Sequence, residues 1–234
     1  MFLYNEPLKI ELHGNELLVN GTEHPKDVRT MAQMQDTLME EVQGEWDAYF
    51  MYRGVHSIGD IRYDITVIPS IPMGKECPKT YGHYHPASKS GIEFPEIYQV
   101  LNGSAVYILQ KRNRNGSVNT TVVDAKKGDV VLMPPGYGHV TVNNGKEPLV
   151  MGNLVYGKFS SEYSEYKKNR GGAYYYLLDH QLVQNTNYFI EKNERIDPAA
   201  LNKRYGITAT DLLSEFCNDA SKFAYLENPG LISE

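Results

Sequence analysis

TYGHYHP, at residues 80–86, and PPGYGHVTVN, at residues 134–143, contain three of the seven histidines of this chain. Residues i and i+2 of a β-strand point to the same face, so the side chains of His83 and His85 are expected to project together while Tyr84 points the other way. His139 follows a Pro-Pro-Gly turn that opens another strand-like run. The two stretches therefore predict a metal site built on strands.

A carboxylate completes the predicted site. Glu96 begins the β-rich run EIYQVL, which is expected to pair near the histidines. Three imidazoles and one carboxylate suit Fe²⁺, Mn²⁺, Ni²⁺, Co²⁺ or Zn²⁺ and leave positions open for a substrate. No thiolate belongs to the set, which argues against a closed structural zinc site. Taken alone, a His-x-His pair is more often a surface pair, and one Glu is usually solvated, so the joint pattern carries the prediction.

Short β-rich runs separated by Gly, Pro and Asn fill the chain from about Asp47 onward. They read AYFMYRG, IRYDITVI, EIYQVL, SAVYILQ, SVNTTVV, DVVLMP, HVTVN and PLVMGNLVY. Such runs are typical of an antiparallel sandwich or barrel, so we predict an all-β fold. Asn102-Gly103, between EIYQVL and SAVYILQ, predicts a hairpin with a type I′ turn, which needs positive φ at both central residues.

The two ends of the chain carry different patterns. LKIEL and ELLVN flank His13-Gly14-Asn15 and predict a first hairpin, and a short helix is then predicted from the spacing of Val28, Met31, Met34 and Leu38. AYYYLL predicts one more strand near residue 175. Asp197-Pro198 predicts the start of a helix, and Thr208 with Asp211 resembles a capping box before a second helix. We expect residues 1–190 to form the β-domain and residues 191–234 a helical C-terminal extension.

Composition excludes several classes of partner. The 234 residues carry a formal net charge of -6, which argues against a nucleic-acid backbone as the main partner. Cys77 and Cys217 lie far apart without CxxC spacing, so reduced thiols are expected. The first residues lack a secretory pattern, and no run approaches 18 uncharged apolar residues. We therefore predict a cytoplasmic protein without a membrane partner.

The histidine stretches together resemble the two motifs of the cupin superfamily. In the first motif, His83, His85 and Glu96 are followed after six residues by Gly103. The second motif is matched throughout, by Gly128, Pro134, Gly136, His139 and Asn143. The resemblance implies a jelly-roll β-barrel. The chain departs from the first motif in having Cys77 where a Gly is usual, and ten residues between His85 and Glu96. Glu93 is a rival ligand, although the spacing to Gly103 favours Glu96.

A closer resemblance is to the cupin-type glucose-6-phosphate isomerases, described mainly from archaea. It rests on TYGHYH, on Glu96-Ile97-Tyr98 and on PPGYGHVTVN, and it covers roughly residues 45–190. The resemblance implies a metal-dependent aldose–ketose isomerase that interconverts glucose 6-phosphate and fructose 6-phosphate. It also implies a homodimer and one divalent ion, with Fe²⁺ foremost.

Matched position by position, the resemblance implies roles for individual residues. The metal ligands would be His83, His85, Glu96 and His139, and the catalytic residues Glu96 and Tyr98. The substrate-binding residues would be Thr66, Thr80, Gly82, Tyr98, Tyr156 and Tyr163. The phosphate would be held by hydroxyls and backbone amides without Arg. Ser160 to Tyr163 stand where the family has a Gly-His-Asp-Tyr-like run, so the family's His has no counterpart.

Two other functions share the same ligands. An Fe²⁺ cupin dioxygenase would need an apolar substrate pocket, against which Thr80, Tyr98 and Tyr156 argue. A non-catalytic sugar-binding cupin module is the second alternative, although such a module could dispense with the intact ligand set. The isomerase reaction itself could use an enediol, with Glu96 as the base, or a 1,2-hydride shift, and both routes stay open.

Overall fold

The computed structural model describes residues 1–232 of the chain. Short strands dominate these residues, and the few helices are all short. The strands are β1 Phe2–Tyr4, β2 Ile10–His13, β3 Glu16–Val19, β4 Thr22–Glu23, β5 Asp27–Thr30, β6 Asp47–Ile58, β7 Ile61–Ile68, β8 Glu96–Asn102, β9 Ser104–Arg112, β10 Val118–Lys126, β11 Val130–Met133, β12 Tyr137–Asn143, β13 Leu149–Tyr156, β14 Tyr174–Tyr176, β15 Leu182–Gln184 and β16 Ile190–Ile196. The α-helices are α1 Met31–Met34, α2 Ser164–Lys168, α3 Pro198–Arg204 and α4 Leu212–Asn218, and 3₁₀ turns cover Gln35–Thr37, Ala220–Leu226 and Pro229–Leu231.

Two sheets form the body of the protein. One has six strands in the order β11-β8-β13-β7-β6-β5, and the other has four in the order β12-β9-β10-β16. Neighbouring strands run antiparallel except β10 and β16, which are parallel. The prediction of an all-β fold is confirmed. The predicted first hairpin is also confirmed, because β2 pairs with β3 from Ile10 opposite Val19 to His13 opposite Glu16.

The six-stranded sheet is buried on both faces. Tyr98 on β8 belongs to the apolar cluster between the two sheets, whereas its neighbour Ile97 belongs to a second cluster on the outer face. That outer cluster includes Leu17 from the N-terminal sheet β1–β4 and Phe216 from α4. A strand covered on both sides needs apolar residues at successive positions, which explains why β8 shows no simple alternation.

The segment between β7 and β8 brings the two histidine stretches together. Residues 79–83 run alongside β12, with isolated bridges pairing Lys79 with Val142 and His83 with His139. The Lys79 ammonium is buried, where it pairs with Glu76 and donates to the Thr37 carbonyl at 2.8 Å. The segment is therefore anchored before it reaches the site.

The hairpin predicted at Asn102-Gly103 is wrong. β8 and β9 belong to different sheets, so the turn is a corner at which the chain crosses from one sheet to the other. A type I′ turn needs positive φ at both central residues. Gly103 has a φ of 81°, but Asn102 does not have a positive φ, so the turn is not type I′. The Asn-Gly pair correctly predicted a bend in the chain, but β9 pairs with β10 and β12 and not with β8.

The predicted helices differ in detail from those observed. The N-terminal helix starts at Met31, capped by Thr30, whereas Val28 lies in β5 opposite Phe50. Asp197 caps α3 as predicted. The second C-terminal helix is capped by Asp211 itself and not by Thr208, because the Asp211 carboxylate accepts from the Ser214 amide at 3.2 Å.

The predicted boundary between residues 190 and 191 falls within β16, which adds a strand to the four-stranded sheet. Division of the chain into a β-domain and an extension stays a prediction. Within residues 1–232, no helix is both long and apolar enough to span a bilayer.

Candidate metal centre

Four side chains from three parts of the fold converge between the two sheets. His83 and His85 come from the segment before β8, Glu96 is the first residue of β8, and His139 lies on β12. The backbones of His83 and His139 exchange hydrogen bonds of 3.3 and 3.0 Å, which holds the two stretches in register. One ligand atom from each of the four residues lies within 4.8 Å of all the others.

The distances between these atoms fit a bound divalent ion. His83 Nε2 is 3.1 Å from His85 Nε2, and Glu96 Oε2 is 3.4 Å from His85 Nε2 and 3.3 Å from His139 Nε2. An ion with bonds of about 2.1 Å separates adjacent ligands by roughly 3.0 Å in octahedral and roughly 3.4 Å in tetrahedral geometry. Within residues 1–232, Glu96 Oε2 and His139 Nε2 are buried without a hydrogen-bond partner. A buried set of this kind is what a metal ion would satisfy.

Neighbouring groups orient two of the four ligands. His85 Nδ1 lies 2.9 Å from the Phe94 carbonyl, so this nitrogen carries the proton and Nε2 is left to face the centre. Asn153 on β13 donates to Glu96 Oε1 at 2.6 Å, which turns Oε2 toward the imidazoles. Our sequence reasoning missed Asn153. The sequence feature that could have indicated it is a single amide side chain within the otherwise apolar run LVMGNLVY.

Glu93, the rival ligand, lies outside the cluster. It pairs with Ala87 across the loop between His85 and β8, and its carboxylate lies beside Gly136. The structure therefore brings Glu96, and not Glu93, to the three histidines.

Burial and mutual charge set the protonation of the site. Burial lowers the pKa of His83 well below its usual value, and the charges of His139, His85 and Arg53 lower it further. Burial also lowers the pKa of His139. Burial alone would raise the pKa of Glu96, but the His139 and His85 rings outweigh it and bring the value well below the usual one. The pKa shifts thus favour neutral His83 and His139 rings and an ionised Glu96 carboxylate, the forms that bind metal.

The cluster opens into a cavity of about 350 Å³. Four of the six predicted substrate-binding residues line it, namely Thr66, Thr80, Tyr98 and Tyr163. Burial and the nearby Glu96 carboxylate raise the pKa of Tyr98 well above its usual value, so its phenol is neutral.

Gly82 and Tyr156 do not line this cavity. A Cβ on Gly82 would lie 2.5 Å from the Tyr166 ring and 2.6 Å from Val140, so glycine allows close packing behind the histidines. The Tyr156 ring stacks on Phe94 at 4.8 Å. Phe94 also stacks on Phe159 at 5.1 Å, and Phe159 lies 4.6 Å from the His85 ring. These rings form an aromatic wall beside the metal centre.

The cavity is also lined by charged residues that the sequence analysis did not predict. Arg53 comes from β6, and Arg62 and Asp64 come from β7. Arg62 Nε donates to both Asp64 oxygens at 3.0 and 2.8 Å, and Arg53 Nη1 is 3.9 Å from the same carboxylate. The available signal was the period of two in IRYDITVI, which places Arg62, Asp64 and Thr66 on one face.

The two facing sheets, with a buried cluster between them that could hold a metal ion, define a protein of the cupin class. The model of the family described as glucose-6-phosphate isomerase (GPI) matches residues 26–192, well over half of the chain. The chain belongs to this family.

Relatives of the chain carry the same description. The glucose-6-phosphate isomerase of Pyrococcus abyssi is 28% identical over 158 residues, which are 63% of this chain and 78% of that protein. That of Thermococcus litoralis is 26% identical over 156 residues, 63% of this chain and 77% of the relative. Among solved structures, an oxalate decarboxylase formate complex from Lactobacillus farciminis is 20% identical with a TM-score of 0.37, over 50% of this chain and 31% of that one.

Proposed function

We propose that this protein is a metal-dependent aldose–ketose isomerase that interconverts glucose 6-phosphate and fructose 6-phosphate. The observation that carries the proposal is that the family match over residues 26–192 includes all four residues of the His83, His85, Glu96 and His139 cluster. The cluster opens into a cavity of about 350 Å³, within the range of small-molecule sites.

The four residues would hold one divalent ion, for which we propose Fe²⁺ first. Mn²⁺, Ni²⁺, Co²⁺ and Zn²⁺ suit the same nitrogen and oxygen set. When bound, such an ion polarises a carbonyl and stabilises negative charge on the adjacent oxygen.

Glu96 and Tyr98 are the proposed catalytic residues. Isomerisation moves a hydrogen between C1 and C2 of the sugar. In the enediol route, the ionised Glu96 carboxylate would take the proton from one of these carbons and return it to the other. Asn153 holds the Glu96 carboxylate in position for this transfer. The neutral Tyr98 phenol can donate a hydrogen bond to a substrate oxygen. A hydride shift needs no base, and deuterium from D₂O in the product distinguishes the two routes.

Substrate binding is proposed for Thr66, Thr80 and Tyr163 as well as Tyr98, because all four line the cavity. Gly82 would act by allowing the histidine segment to pack closely, and Tyr156 by supporting the aromatic wall. We also propose that the protein is a cytoplasmic homodimer.

The dioxygenase alternative is less well supported by this cavity. Arg53, Arg62 and Asp64 place three charged groups on its lining, which suits a polar, anionic substrate better than an apolar one. No comparable observation favours a binding-only module.

The test is turnover by purified protein reconstituted with Fe²⁺, assayed with fructose 6-phosphate for glucose 6-phosphate. We expect activity that is abolished by EDTA and restored by adding back the ion. A metal-replete preparation that does not convert this substrate would refute the isomerase proposal, while the metal centre would still stand.

A further inference from the structure

The segment that carries His83 and His85 is fixed from behind, on the side away from the metal cavity. Hydrogen bonds from outside the cluster orient His85 and Glu96. Within residues 1–232, the His83 ring bonds to no group outside the cluster, and its Nε2 lies 3.1 Å from that of His85. The direction of the His83 ring is therefore set by the backbone that carries it.

Tyr84, the next residue, does not line the metal cavity and packs instead on the second strand of the site. A Cβ added to Gly138 would lie 2.7 Å from the Tyr84 ring, so the ring lies directly on the backbone of β12. Gly138 immediately precedes His139, whose backbone pairs with that of His83. The ring therefore packs the histidine segment against β12 beside both of these ligands.

Two residues of β9 hold the Tyr84 ring in this position. The Arg112 guanidinium lies over the ring, with Cζ 3.6 Å from the ring centroid. Gln110 Nε2 donates to the Tyr84 hydroxyl at 2.9 Å. Gln110 is itself fully buried, and its side-chain oxygen accepts from the Ala173 amide at 2.8 Å. The ring is thus fixed both across its face and at its hydroxyl.

Two acidic residues at the start of α2 fix the same tyrosine from the other side. The Tyr84 amide donates to the Glu162 carbonyl at 3.0 Å, and the Tyr84 carbonyl accepts from the Glu162 amide at 2.8 Å. Glu165 accepts from Arg112 Nε at 2.5 Å and from the Tyr84 hydroxyl at 3.3 Å. A partly exposed ion pair contributes little stability by itself, so the effect of Glu165 is to keep the guanidinium over the ring. Rotation of the backbone at Tyr84 would turn His83 away from the cluster, and all of these contacts oppose it.

We propose that Tyr84 is a positioning residue of the metal centre, and that Arg112 and Gln110 hold its ring so that His83 is aimed at the ion. The inference rests on the proposed metal-dependent function, because it takes the cluster to bind a divalent ion. Tyr84 contacts neither ion nor substrate, and it acts by fixing the ligand set before the ion binds. Removing a group that orients metal ligands typically weakens metal binding about 10- to 100-fold.

The affinity of the metal-free protein for Co²⁺ tests this role. Co²⁺ is titrated into the full-length chain, and the dissociation constant and visible absorption spectrum are measured for each variant. Tyr84→Leu is expected to weaken Co²⁺ binding by roughly 10- to 100-fold. Tyr84→Phe and Arg112→Met are each expected to weaken it by roughly three- to tenfold, because each removes one contact that holds the ring.

Arg195→Met is the matched control, expected to change the Co²⁺ affinity less than about twofold. Arg195 forms a carboxylate pair of similar exposure with Asp124, but it lies on β16 and does not line the metal cavity. Adding Arg112→Met to Tyr84→Leu should also change the affinity less than about twofold, because Arg112 acts through the ring. An additive effect would overturn the role assigned to Arg112.

Thermal unfolding distinguishes positioning from stability alone. A variant that is less stable but still folded keeps the wild-type Co²⁺ affinity if Tyr84 only fills space in the core. If Tyr84→Leu does not fold, Tyr84→Phe and Arg112→Met provide the test. Wild-type protein that does not bind Co²⁺, or folded Tyr84→Phe and Arg112→Met variants that bind it like the control, would overturn the proposal.

Turnover of fructose 6-phosphate separates this inference from the proposed function. If the wild type converts the sugar and the variants keep its Co²⁺ affinity, the positioning role fails and the isomerase stands. If the wild type shows no turnover but the variants bind Co²⁺ more weakly, the isomerase fails and the positioning role stands.

Discussion

Glu96 is the residue on which the proposed metal centre most depends, because one of its oxygens is fixed by Asn153 and the other, which has no hydrogen-bond partner within residues 1–232, faces the histidines. Asn153 donates to one oxygen at 2.6 Å, and the other lies 3.3 Å from His139 and 3.4 Å from His85. It is also the only carboxylate in the cluster within residues 1–232. Removing its charge would leave an ion bound at this cluster with neutral ligands alone.

Glu96→Gln is therefore expected to lower kcat/KM for fructose 6-phosphate at least 100-fold and to reduce bound metal. Glu93→Gln is the matched control, expected to change either quantity less than twofold. Metal analysis and steady-state kinetics on both variants provide the measurement. The opposite order of effects would assign the ligand role to Glu93.

The lowered pKa values of His83 and His139 predict how stability of the metal-free protein depends on pH. Below pH 6.5, the usual histidine pKa, these histidines bind protons in the unfolded chain but stay neutral in the folded protein. The free energy of unfolding is therefore highest above pH 6.5 and decreases as pH falls. For His83 alone, the loss between pH 6.5 and 5.5 is about 1 kcal/mol. Urea unfolding at the two pH values measures it. His83→Asn should reduce the loss.

Among the secondary-structure elements, β13 matters most because it joins β8, which begins at Glu96, to β7, which carries Asp64. Asn153 lies opposite Tyr98 on one side and Asp64 on the other. The preceding residue, Gly152, faces the outer cluster, where a Cβ would overlap the buried Tyr63 phenol. Only glycine at this position leaves room for the Tyr63 ring to pack directly against the backbone of β13.

Gly152→Ala is thus expected to destabilise the fold by about 1–3 kcal/mol through overpacking. Gly230→Ala is the control, since a Cβ there would meet its nearest atom at 3.5 Å in ordinary contact. Chemical denaturation gives the free energy of unfolding for both variants. Equal stabilities would mean that Tyr63 moves aside freely.

In the molecule as a whole, the C-terminal helices complete the core. Phe216 of α4 and Phe223 are almost fully buried against the outer face of the six-stranded sheet. Asn202 of α3 pairs with the edge strand β11, accepting from the Leu132 amide at 3.1 Å and donating to the Val130 carbonyl at 2.8 Å. The described part of the C-terminal segment, which family resemblance left unassigned, therefore covers one apolar face and one strand edge.

Phe216→Ala is expected to cost about 3–5 kcal/mol of stability, as large-to-small core substitutions do. Phe189→Ala removes the same ring from a position that is 72% exposed, so it should cost far less. Thermal or urea unfolding with metal analysis tests both variants. A Phe216→Ala protein as stable as wild type would show that the helices are dispensable.

Local chemistry was enough to predict the β-rich class, the first hairpin, the cap of α3 and the metal-ligand candidates. Each of these depends on neighbours in sequence: alternation along a strand, a cap at a helix start, or histidines two residues apart. Motif spacing then favoured Glu96 over Glu93, which the structure places in a loop away from the centre.

Other features depend on partners far apart in the chain. Asn102-Gly103 carries the signal of a hairpin, but the strands on either side belong to different sheets, a choice made by packing of the whole barrel. Arg53 meets Asp64 only because β6 and β7 pair, and Asn153 meets Glu96 only because β13 lies beside β8. A sequence pattern reports which residues share a face, whereas strand order decides which faces meet. For this protein the candidate ligand set could be predicted from the sequence, but the charged residues that line the same cavity are brought there only by the folded sheet.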